Sequence, residues 1–147
     1  MSDVLTHETG KVATFLRGIL IADAAIISLG LQAKVWRNLA PPGSDCPYII
    51  LRLQSARDKN ALGARNRLFS RVLYQIMAVT EGTDDTVGDA IAVAVDKAVV
   101  GRNDLVGADG VWKLGVFREE PLEYAEDADG TRYNYIGGLY RVFVHTP

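Results

Sequence analysis

Cysteine, histidine and paired carboxylates are the side chains best suited to chemistry here, and their spacing argues against most of it. Cys46 is the single cysteine, and the two histidines are His7 and His145. A thiol nucleophile needs a base within hydrogen-bond reach. Cys46 lies between Asp45 and Pro47, far in sequence from both histidines, so only a chain that folds His145 back onto it would form such a pair. The expectation is a buried or incidental thiol. A lone cysteine leaves no intrachain disulfide framework and no Cys-rich zinc site. Glu119 and Glu120 precede Pro121, but adjacent strand residues face opposite sides, so these two carboxylates would not share a substrate. Glu126-Asp127-Ala128-Asp129-Gly130 is acidic enough for a calcium loop, yet its register fails. With Gly130 at the required glycine, Ala125 takes the first ligand position and Ile136 the bidentate acid position. An acidic hairpin with Asp129-Gly130 at its tip fits better. Gly137-Gly138 lies within a strand pattern and precedes no helix, so it is not a phosphate-binding loop. The expectation is a non-enzyme with no catalytic, metal or cofactor-binding residues.

What remains is charge. Lys and Arg number 16 against 18 Asp and Glu, for a net charge of −2, far from the balance of a dedicated nucleic-acid binder. The distribution is uneven. Residues 52–71 carry six bases and one acid, a net of +5, whereas residues 72–147 carry six bases and 13 acids, a net of −7. Arg57, Lys59, Arg65 and Arg67 form the dense part of the basic segment. Such a segment can dock on an acidic partner, including a second copy of the same chain. The alternative is a solvated hairpin whose charges keep a sheet edge from aggregating. Base stacking is poorly supplied, since Phe69 is the nearest ring.

The elements that would position these residues follow from periodicity. The chain has 147 residues with 48% hydrophobic and 23% charged, which suits one soluble globular domain. Its most apolar stretch, residues 18–33, carries Asp23 and Ser28 and falls short of the ~20 apolar residues a membrane helix needs. Residues 6–21 read as an amphipathic helix, with Thr6 as N-cap and Val12, Phe15, Leu16, Ile19 and Leu20 at helical spacing. Asp23 opens a short helix that Gly30 ends. Short strand 33–37, a Pro-Pro-Gly loop, strand 48–54 and strand 68–80 follow, with residues 55–67 as a long basic hairpin loop. Thr83-Asp84-Asp85 starts a helix over 86–99, with Val87, Ala90, Ile91, Ala94, Ala98 and Val99 on its apolar face and Gly101 as its stop. Strands 111–117 and 133–145 close the chain. The order predicts an α+β single domain spanning 1–147. Its sheet is mostly antiparallel, or mixed, with about four to five strands and two main helices packed on one face.

Several of these segments together resemble the tail-completion, or tail-terminator, family of long-tailed bacteriophages, which joins tails to heads. They are Ala22-Asp23-Ala24-Ala25-Ile26-Ile27-Ser28-Leu29-Gly30, Lys34-Val35-Trp36, Ala40-Pro41-Pro42-Gly43 and Pro47-Tyr48-Ile49-Ile50. The family shows a short "D-A-A-L" helix, a short strand, a Pro-containing loop and a "P-Y-V-V" strand, after which residues 72–79, 89–98, 110–117 and 133–144 fall in the remaining places. The resemblance implies a virion structural protein at the head-proximal end of the tail, assembled in the host cytoplasm. It would form a hexameric ring that contacts the tail tube protein and the head-tail connector or stopper, with genomic DNA passing non-specifically through the lumen and no membrane partner. On that reading, Arg57, Lys59, Arg65 and Arg67 lie at contacts with a neighbouring subunit or the tube. The alternatives are a neck or tail-tube protein of the same virion, or a cellular binding module that uses the basic loop.

Overall fold

The computed structural model describes residues 8–60, 67–82, 85–101, 103–106 and 112–145. Helix α1 (Glu8–Ala22) buries Val12, Phe15, Leu16 and Leu20 of the stripe its spacing predicts, with Ile19 half-buried and Ala13 buried beside them. Helix α2 (Ala24–Ser28) begins where the Asp23 carboxylate accepts the N–H groups of Ala25 and Ile26 at 3.1 and 3.2 Å. It ends at Gly30, where φ is +77°. There the Gly30 N–H donates to the Ile27 carbonyl and the Leu31 N–H to the Ile26 carbonyl, the paired bonds of a Schellman end. Ile26 and Leu31, which flank that end, are both buried.

Helix α3 (Thr86–Val99) is where sequence expected it, but rotated. Gly88, Ile91, Ala94, Val95, Ala98 and Val99 are buried, while Val87 is 48% exposed and Ala90 faces solvent. Gly88 explains the rotation: a Cβ there would lie 2.7 Å from Ile136 Cδ1, so the glycine side packs on the sheet and Val87 turns outward. Asp85 is the N-cap by position, without a side-chain capping bond, and the helix stops at Gly101 with φ +83°. The expected caps at Thr6, Thr83 and Asp84 lie outside the described residues.

Six strands form one mixed sheet among the described residues. They are β1 (Val35–Arg37), β2 (Tyr48–Asn60), β3 (Arg67–Glu81), β4 (Asn103–Val106), β5 (Trp112–Ala128) and β6 (Thr131–His145), in the order β1-β2-β3-β6-β5-β4. The β1–β2 pair is parallel and the rest are antiparallel. β4 is an addition to the expected set. The larger correction concerns length: β2 runs through Asn60, β3 starts at Arg67, and β5 continues past Pro121 to Ala128. The expected 55–67 loop is therefore mostly a paired β-ribbon. β5 joins β6 through Asp129-Gly130, with φ of +53° and +78°, as a two-residue type I′ hairpin requires.

The helices cover one face. Val72, Tyr74, Ile76 and Ala78 of β3, Ile49 and Leu51 of β2, and Tyr140, Val142 and Val144 of β6 join the helical residues in one core. The other face closes a smaller cluster of Ile50, Met77, Val79 and Tyr135, flanked by Cys46, Tyr48, Leu122, Tyr124 and Tyr133. The central strands approach closely at Gly137, where any Cβ would collide with the Ile76 carbonyl of the neighbouring strand. That is the reason for a glycine in mid-strand, and the β3–β6 register runs through it without a bulge.

Candidate assembly interface

The basic residues singled out from sequence sit on the β2–β3 ribbon. Arg57 and Lys59 lie on its outgoing strand and Arg67 opens its return, while Arg65 falls in residues 61–66, outside the described set. Pairing sets Arg57 opposite Arg71, Lys59 opposite Phe69 and Asn60 opposite Arg67. Like charges directly opposite one another cost stability. Across this stretch Asp58, opposite Ser70, is the single acid among Arg57, Lys59, Arg67 and Arg71. The ribbon also outreaches its neighbours. β1 covers β2 only at Ile49–Leu51, and β6 pairs with β3 no further than Ser70. Residues 58–60 and 67–69 thus extend beyond the sheet, and the outer edge of β2 beyond Leu53 has no strand beside it among the described residues.

The opposite side of the sheet carries the acidic counterpart, visible in sequence as the net charge of −7 over residues 72–147 but not as one strand edge. β4 covers β5 only at Trp112–Gly115, and the Gly101 N–H donates to the Val116 carbonyl at 2.9 Å. From Phe117 to Ala128 the outer edge of β5 faces no strand among the described residues. This open edge carries Glu119, Glu120, Glu123, Glu126 and Asp127 against Arg118, all exposed. A bulge between Arg118 and Glu120 lets Glu119 fold back onto Arg141 of β6, as a bidentate pair with oxygens at 2.9 and 2.6 Å from Nη2. The signal was present as five acids within one strand. Read separately as a candidate acid–base pair and a candidate calcium loop, they did not show their common edge.

Beside that edge runs a groove of about 500 Å3 between α3 and the β5–β6 hairpin, lined by Asp89, Val93, Asp96, Pro121, Leu122 and Glu123 among others. Val93 is 53% exposed. At its floor the buried Tyr140 hydroxyl donates to Asp96 Oδ1 at 3.1 Å, and Arg118 Nη1 stands 3.5 Å from the same oxygen. Burial pushes the Tyr140 phenol well above its ordinary range, with the Asp96 carboxylate adding to the effect. The phenol is therefore a fixed donor that ties β6 to α3.

Cys46 lies on the face away from the helices, beside Pro47, Thr80, Glu81 and Val87. Burial, reinforced by Glu81, pushes its thiol up to about 11. His145 ends β6 at the far end of the strand from Tyr133, which pairs with Glu81 near Cys46. The thiol and this histidine are thus held at opposite ends of the sheet. Among the described residues no group of three or more His, Cys, Asp or Glu is placed to hold a metal ion, and no helix is long and apolar enough to cross a membrane.

No family model matches the sequence, and no curated protein does. Among solved structures, the fold is similar to a chain in the virion of a native gene transfer agent (GTA) particle, with a TM-score of 0.66 at 18% sequence identity. The likeness covers 88% of this chain and 91% of that one.

Proposed function

We propose that this chain is a structural protein of a phage-like virion and, within the virion, a tail-terminator subunit. In this role it forms a hexameric ring that caps the tail tube and joins it to the head connector, leaving a lumen through which DNA passes without being read. The work is mechanical rather than catalytic. The observation that carries the virion reading is the likeness of fold to a gene transfer agent virion chain across nearly the whole length of both. The terminator role draws its support from the resemblance of the Asp23–Gly30 helix, the Pro41-Pro42-Gly43 loop and the Pro47–Ile50 strand to that family. A subunit that closes a ring needs two different, complementary patches on one chain. The basic ribbon and the acidic β5 edge, on opposite sides of the sheet, meet that requirement.

The test is to mix the purified chain with tail tubes of its own particle and view them by electron microscopy. Rings confined to one end of each tube, with tube growth stopped, are expected. Incorporation along the whole tube would make it a tube protein, binding to heads alone would make it a neck protein, and indifference to all of them would sink the virion reading.

A further inference from the structure

We infer that the acidic outer edge of β5, with the groove beside it, is the acceptor for the basic β2–β3 ribbon of a second copy of this chain. This rests on the ring reading and gives it an interface. Three observations converge. Both strand edges are open over complementary stretches: β2 beyond Leu53 and β5 from Phe117 to Ala128 have no outer strand among the described residues. An open edge is a template for pairing with another chain unless something covers it. The two edges carry opposite charge: residues 52–60 hold Arg52, Arg57 and Lys59 against Asp58, while residues 117–128 hold five acids against Arg118. The α3–β5 groove adds apolar surface at Val93, Pro121 and Leu122, which the charged edge alone would lack.

The strand directions agree with a head-to-tail arrangement. β2 and β6 run the same way, and β5 runs against both. A second copy in the same orientation would therefore bring its β2 antiparallel to β5. β1 blocks the end of β2 near Ile49 and β4 blocks the opposite end of β5, so the copies must slide along the strands before their open stretches overlap. In a closed ring that offset is absorbed by tilting the strands against the ring axis, as stagger is in a barrel.

The experiment uses two full-length variants, one with the ribbon reversed (R57E/K59E/R67E) and one with the edge reversed (E120K/E123K/D127K). Glu119 is left alone because it holds Arg141. Association is followed by light scattering at low salt. Wild type is expected to associate and to lose association as salt rises. Each variant alone is expected to bind itself about 100-fold more weakly, since attractions between exposed opposite charges become repulsions. Mixed one to one, the variants are expected to assemble again, because every ribbon then meets an edge of opposite sign. That recovery also shows that both variants fold. Recovery would fail for any interface using only one of the two surfaces. If the variants associate as wild type does, or remain apart when mixed, the inference falls while the ring reading stands. A wild type that stays monomeric at low salt overturns the edge contact as well, and leaves the tube-binding test to decide the virion reading.

Discussion

The centre of the sheet and its two margins are built for different tasks. β3 and β6 are paired on both sides and covered on both faces, so that nearly every residue from Val72 to Thr80 is buried. Their contacts are apolar packing plus a few committed polar bonds, such as Asn134 Nδ2 to the Gly82 carbonyl at 2.6 Å and Tyr140 to Asp96. The margins are only half covered, at β2 by β1 and at β5 by β4, and what they leave open is charged. Apolar burial is worth ~25 cal/mol per Å2, and exposed ion pairs are worth at most about 1 kcal/mol each. Stability therefore resides in the centre, and the margins are free to be shaped by association. Substitutions in the two regions should separate accordingly.

The largest effect is expected at Gly137. Ala there drives a methyl group into the Ile76 carbonyl, which belongs to a paired central strand and cannot yield. The loss should be about 4 kcal/mol or more, enough to leave little folded protein, as chemical denaturation or soluble yield would show. The companion substitution Gly138→Ala meets the Glu120 carbonyl at 3.0 Å, beside the bulge of an edge strand. It should cost distinctly less. Equal losses at the two positions would erase the contrast between centre and margin.

A smaller effect is expected for Tyr140→Phe. It keeps the ring and removes a hydrogen bond to an ionised partner, worth about 1.5–3 kcal/mol. Thermal unfolding should show the loss. The slope of stability with pH above 10.0, where an unfolded tyrosine ionises, should also flatten, because the native phenol holds its proton to higher pH. The wild-type slope is toward lower stability as pH rises, and Tyr140→Phe removes this residue's share of that decline.

The smallest concerns Cys46. Its native thiol ionises at about 11 rather than its ordinary 9.0, so at pH 8 a thiolate-specific reagent should modify the folded chain about 100-fold more slowly than the urea-unfolded one. Stability present below pH 9.0 should decline as pH rises toward 11, and Cys46→Ala should remove that share of the decline. A folded thiol as reactive as the unfolded one would mean that this face is open rather than closed by its tyrosines.

Local chemistry was legible in the sequence wherever one residue decides the outcome. Asp23 caps α2, Gly30 ends it, and Asp129-Gly130 turns the last hairpin. Apolar periodicity gave α1 with most of its buried stripe and placed the strands that become β3 and β6. It failed where a strand has nothing to pack against. Residues 55–57 pair with β3 where β1 no longer lies beside β2, and 58–60 run on beyond the sheet, so no hydrophobic alternation marks this stretch. Pro121 disguised the second half of β5, since a proline speaks against a central strand but is tolerated on an edge, where the ladder needs only every second N–H. The α3 stripe was misplaced by counting Val87 and Ala90 as inward and taking no account of how closely Gly88 approaches Ile136. The candidate interface was half legible. The basic half is a run in sequence, whereas the acidic edge becomes a surface only once β5 is known to be one strand with an open outer side.

The contact between margins can be measured directly by zero-length carbodiimide cross-linking of an equal mixture of 15N-labelled and unlabelled protein, with mass spectrometry of the joined peptides. The expected product links Lys59 of one isotopic form to Glu120, Glu123 or Asp127 of the other, and high salt should suppress it. Lys59 joined between copies only to carboxylates elsewhere, with residues 119–127 unmodified, would contradict the head-to-tail contact.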